Sequence, residues 1–200
     1  AEALLLRAQE MAPAENQSAA RALAELRAAL PPVTAAPAGG VDYASLTAQE
    51  RNEARVQADR DLQFGKPAEA LAVYQGLVAV DGQDRASRMG AASALAALGR
   101  SEEALAAFAA ISAEWPDFPF AAIRRGALLE EQGDQAGALA AYREAVRVAP
   151  DNPDTHFTLA YALRRAGQAA EAIAAFEAGL AIDPARESAR QALDALRAEQ

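Results

Sequence analysis

Apolar and polar positions along this chain recur with a unit of thirty-four residues. The stretch Leu163 to Pro184, LRRAGQAAEAIAAFEAGLAIDP, is paraphrased one unit earlier by LEEQGDQAGALAAYREAVRVAP. At this shift Gly65, Gly99, Gly133 and Gly167 coincide, and so do Ala70, Ala104, Ala138 and Ala172. A ring column follows with Tyr74, Phe108, Tyr142 and Phe176, and a closing column with Gly82, Pro116, Pro150 and Pro184. Four columns in one register across four copies describe a scaffold.

Each column has a physical reason. The glycine sits where a first helix stops, because a left-handed C-terminal position favours a residue without Cβ. The alanine lies in a second helix, where a larger side chain would hold the partner helix away. The ring four residues on shares its face and fills the hairpin interior. The proline ends that helix or opens the next. The pattern predicts helix pairs 51–64 with 67–80, 85–98 with 101–114, 119–132 with 135–148, and 153–166 with 169–182. A generic alanine-rich bundle needs amphipathic helices but no fixed repeat of turn glycine, small contact and ring.

The spacing resembles the tetratricopeptide repeat (TPR) family, most closely in PDTHFTLAYALRRAGQAAEAIAAFEAGLAIDP. Leu159 and Ala160 take its leucine–small pair, and Gly167, Ala172, Phe176 and Pro184 follow in place. Gly179 stands where alanine is usual and His156 where tryptophan is usual. The third copy departs at Arg125; the second has Ile111 for the late alanine; the first has Asp61, Leu77 and Gly82 for commoner choices. The resemblance is strong over 85–184, good over 51–84 and weak at the amino end. It implies an all-α fold, a right-handed superhelix (an α-solenoid) of antiparallel helix pairs.

Four units are expected within 47–184, at 51–84, 85–118, 119–152 and 153–184, with Thr47 and Glu50 as a capping box opening the first. Residues 1–30 read as a partial or degraded repeat-like helical pair. Residues 31–46, which begin with two prolines, read as a linker or long loop. Beyond Pro184, residues 185–200 place Ala189, Leu193 and Leu196 on one side of a helix. Two roles fit that helix: a polar cap over the last repeat, or the first helix of a further repeat.

Composition narrows the function classes. The formal net charge is −9, unlike the basic footprint of a nucleic-acid-binding domain, and no apolar run is long enough for a transmembrane helix. Cysteine is absent and His156 is the only histidine, so Ser-His-acid and Cys-His arrangements have almost nothing to draw on. His156 and Trp115 read as packing residues. Glu130 and Glu131 are more notable, because they fall near a helix C-terminus, where the helix field disfavours negative charge. No catalytic residue, cofactor or metal is expected.

In the family, the first helix of each pair lines the inner surface, and ligand-facing residues fall at the second, fifth, ninth, twelfth and thirteenth positions. The asparagine of its carboxylate-clamping members is missing at the sixth position, which here reads Val56, Gly90, Arg124 and Thr158. The remaining face offers an apolar strip of Met89, Phe120, Ile123, Phe157 and Tyr161. Glu130 and Glu131 are expected toward one portion, and Arg124, Arg164 and Arg165 toward another. Packing between repeats is the competing role for Phe120 and Ile123. The resemblance implies a non-enzymatic scaffold for a protein or peptide, in a bacterial assembly of the cytoplasm or periplasm. The alternative is a recruiting or regulatory domain of a larger enzyme.

Overall fold

The computed structural model describes residues 41–199. The expected helical pair at 1–30 and the linker portion 31–40 lie outside the described residues. Among the described residues there are nine α-helices and no strand. Helix α1 (Ala48–Gln63) pairs with α2 (Pro67–Val80), α3 (Arg85–Ala97) with α4 (Ser101–Glu114), and α5 (Pro119–Glu131) with α6 (Gln135–Val148). Then α7 (Pro153–Arg165) pairs with α8 (Ala169–Ile182), and α9 (Glu187–Ala198) ends the row.

Local chemistry sets these boundaries. Thr47 accepts from the Glu50 amide while the Glu50 carboxylate accepts from the Thr47 amide at 2.8 Å, completing the capping box. Asp84, Asp134 and Asn152 cap α3, α6 and α7 in the same sense. Pro67, Pro119 and Pro153 open their helices, where no intrahelical N–H is needed. Gly133 has φ +82°, and the other three glycines of its column are likewise left-handed. Its amide and that of Asp134 close the end of α5 by donating to the Glu130 and Leu129 carbonyls.

Each helix packs on the next, and the first helices α1, α3, α5 and α7 also meet their counterparts in the neighbouring repeat. The second helices meet one another less, so the first helices form the inner wall of an α-solenoid. The alanine and ring columns are buried throughout; Ala70, Ala104, Ala172, Tyr74 and Phe176 are fully enclosed. The core divides into two clusters, one from Ala58 to Leu128 and one from Ala138 to Leu196. Helix α5 serves both: Ala121 and Leu128 belong to the first, and Ile123 and Leu129 pack on the second.

Departures from the family pattern are accommodated by neighbouring chemistry. Arg88, at the usual tryptophan position, stacks on Trp115 with its guanidinium 4.8 Å from the ring centroid and pairs with Glu114. Arg125, at the leucine position, pairs with Glu144. His156 places Nε2 2.7 Å from the Pro150 carbonyl oxygen. The tract 41–46 is more than a tether, since Tyr43 is 7% exposed and its ring packs against Gly76 of α2.

The ends differ from the interior. Glu53 and Arg60 of α1 are exposed, whereas the corresponding Ser87, Ala121 and Thr155, and Ala94, Leu128 and Ala162, are buried. Helix α9 buries Ala189, Leu193 and Leu196. It exposes Asp194 where earlier first helices bury Ala58, Ala92, Gly126 and Ala160. A second helix packed there would have to cover a carboxylate, which is costly without a partner.

Candidate functional site

The inner face of the third and fourth repeats is built by α5 and α7. Every expected residue except Met89 lies on these two helices. Met89, on α3, is half-buried against the first core cluster. Ile123 is also half-buried, against the second. Phe120 remains 47% exposed beside Phe118, with ring centroids 5.3 Å apart, while Arg85 lies over the Phe118 ring at 4.2 Å.

Phe157 corrects the expected apolar strip. Its side chain is only 4% exposed, and its ring occupies the space that a Cβ on Gly179 would need, at 2.5 Å. Arg186 covers it from the start of α9, 5.1 Å from the ring centroid, and is anchored on Asp154 at 2.9 Å. Phe157 is therefore core. The departure from alanine at Gly179 makes its room.

Tyr161 is half-buried. It meets Phe176 edge-on at 4.9 Å, and Arg164 lies above it at 5.6 Å. Tyr161 thus joins the ring column to the inner face and presents its other side to Arg164. Neither Arg164 nor Arg124 has an ion-pair partner among the described residues, and both are exposed.

The expected separation of acids from arginines also needs correction. Arg165 donates to both Glu130 oxygens, through Nε at 2.6 Å and Nη2 at 2.7 Å, across the third and fourth repeats. The Tyr142 hydroxyl donates to the same carboxylate at 3.2 Å. Arg165 holds the Glu130 carboxyl below its ordinary range, and the Tyr142 hydrogen bond acts in the same direction. A lowered carboxylate pKa contributes stability above the ordinary carboxylate range and loses it as pH falls through the depressed value. The guanidinium also answers the unfavourable field at the end of α5. Glu131, beside it, is exposed.

Repeat one has a parallel arrangement that the pattern of single residues does not announce. The Tyr74 hydroxyl donates to Asp59 at 2.6 Å, and Arg55 donates to the other Asp59 oxygen at 3.2 Å. Where the ring column carries phenylalanine, in Phe108 and Phe176, no hydroxyl needs an acceptor. The ninth and twelfth positions of those repeats are Ser93 and Ala96, and Tyr161 and Arg164.

Burial, with Glu130 nearby, pushes the Tyr142 hydroxyl up to about 12, and burial followed by the Asp59 contact raises Tyr74 as well. Below pH 10 both the folded and unfolded chains keep these protons. Between pH 10 and about 12 the unfolded chain loses its Tyr142 proton first, so stability falls as pH rises. At fixed urea, Tyr142→Phe is expected to shift the alkaline unfolding midpoint upward, followed by far-ultraviolet circular dichroism. An unchanged midpoint would remove Tyr142 from the alkaline transition.

The fold is similar to several solved structures. MamA 41-end from Desulfovibrio magneticus RS-1 is 23% identical, with TM-score 0.58 over 77% of this chain and 87% of that one. TTC0263, a thermophilic TPR protein in Thermus thermophilus, is 22% identical, with TM-score 0.62 over 74% and 81%. PcrH in complex with the chaperone binding region of PopB is 21% identical, with TM-score 0.52 over 59% and 95%. No curated protein sequence matches. Family profiles described as TPR repeat and tetratricopeptide repeat match residues 55–119, 126–167 and 153–186. With the turn glycines, buried alanines and ring column in place, the chain belongs to the tetratricopeptide repeat family.

Proposed function

We propose that this chain is a non-enzymatic scaffold that holds a protein or peptide segment against the inner face of α5 and α7. The observation carrying this reading is the exposure of Phe120, Arg124 and Arg164 beside the half-buried Tyr161, long side chains on two adjacent first helices. Tyr161 and Arg164 lie three residues apart on one helix face. Aromatic and arginine side chains supply a large share of binding energy at interfaces. The similar fold of PcrH holds the chaperone binding region of PopB, a precedent for peptide binding by this architecture. His156 is engaged by a turn carbonyl, and no group of three or more metal-ligating side chains occurs among the described residues.

Binding of a synthetic peptide array, followed by calorimetry on the best ligand, tests the placement. Tyr161→Ala and Arg164→Glu are each expected to weaken binding by about tenfold or more, since hot-spot truncations cost roughly 2 kcal/mol or more and a tenfold loss needs only about 1.4 kcal/mol. Two folded variants with unchanged affinity would put the site elsewhere.

A further inference from the structure

The inner face carries a charge selectivity that its residue composition conceals. Although the chain is acidic, three carboxylates on this wall are already engaged: Asp59 by Arg55, Glu130 by Arg165 and Asp154 by Arg186. Among the described residues of the α5–α7 half, Arg124 and Arg164 have no ion-pair partner, which leaves two exposed guanidinium groups against the exposed carboxylate of Glu131. We infer that this half-face selects an acidic peptide segment with apolar anchors, and that Glu130 sets the strength of that selection by withholding Arg165.

The proposal rests on the inner-face reading above and adds the chemistry of the occupant. Arg164 is held over the Tyr161 ring at 5.6 Å, so an apolar anchor against Tyr161 brings an adjacent carboxylate to a guanidinium. Arg124 lies one repeat away on α5 and receives a second acid farther along the segment. Arg165 is not a third receptor in the free protein, because both Glu130 oxygens accept from it. Glu130 is thus a specificity-determining residue acting through Arg165. Replacing it with glutamine keeps its shape and an acceptor for Tyr142 while removing the charge that neutralises Arg165.

The test uses two fluorescein-labelled peptides of equal length, one alternating leucine with glutamate and one alternating leucine with lysine. Fluorescence anisotropy is read at low and high salt. The wild-type chain is expected to prefer the acidic peptide, with a preference that shrinks in salt as exposed charges are screened. Glu130→Gln is expected to tighten the acidic peptide by about two- to fivefold, the range of one exposed ion pair. Glu130→Gln with Arg165→Gln is expected to return affinity to near wild type, an outcome that a merely structural role for Glu130 would not produce. Arg164→Glu should reverse the preference. If both peptides bind equally, or Glu130→Gln leaves a folded protein with unchanged affinity, the charge inference is overturned while the binding face stands. If neither peptide binds at millimolar concentration, the inner-face reading falls with it.

Discussion

Phe176→Ala is expected to destabilise the protein by about 3–5 kcal/mol, the cost of emptying a buried aromatic site that can only partly collapse. Phe176 is fully enclosed within the carboxyl-terminal core cluster. Its loss removes the edge-on contact with Tyr161 at 4.9 Å. In a stacked array each repeat rests on its neighbours alone, so the damage should be local. Hydrogen exchange measured by mass spectrometry is expected to rise in α7, α8 and α9 while α1 to α4 keep their protection. Uniformly raised exchange, or a urea-unfolding loss below about 1 kcal/mol, would contradict a modular core with Phe176 at its carboxyl-terminal centre. The same variant should weaken peptide binding, because Tyr161 would lose the surface that orients it.

The repeat was legible because every hairpin solves the same geometric problem. A left-handed turn needs Gly133, close helix approach needs Ala138, and the hairpin interior needs Tyr142; the same demands recur in the other units. Positional rules transfer well for such shared backbone constraints. They transferred less well to the inner face, where side chains answer to one another. Phe157 sits at a position expected to face a ligand, yet its ring fills the volume left by Gly179. The departure from alanine at Gly179 makes room for the Phe157 ring, a pairing that neither residue reveals alone.

Charge produced a similar difference. Glu130 and Arg165 lie 35 residues apart, one repeat plus one position, and meet across adjacent first helices. Reading each along its own helix separates them, while the stacking of repeats joins them. The tyrosine members of the ring column follow the same logic. Tyr74 and Tyr142 each carry a hydroxyl that needs an acceptor at the inner wall, and Asp59 and Glu130 supply it. Carboxylates that look like ligand contacts in sequence are therefore partly committed to the fold, which shifts the available charge on the α5–α7 half toward arginine.

Gly126→Val is expected to cost about 1–3 kcal/mol through overpacking, and the cost should depend on Tyr142. A Cβ built on Gly126 would lie 2.6 Å from Tyr142 Cε1, so the ring has to move and draw its hydroxyl away from Glu130. Other repeats carry Ala58, Ala92 and Ala160 at the corresponding position, the small member of the leucine–small pair, so the whole column demands a small residue and the placement of the Tyr142 ring leaves this one no room for a Cβ. Helix propensity works in the opposite direction: valine is a modestly better helix residue than glycine, by roughly a few tenths of a kcal/mol, so a net loss reports packing. A double-mutant cycle with Tyr142→Ala isolates the contact. The valine should destabilise the wild-type background and be nearly neutral where the ring is absent, with urea unfolding as the readout. Equal costs in both backgrounds would assign the glycine to some other constraint. A lost ring–carboxylate bond would also leave Glu130 with Arg165 alone, so the variant should alter the charge selectivity of the inner face as well as its stability.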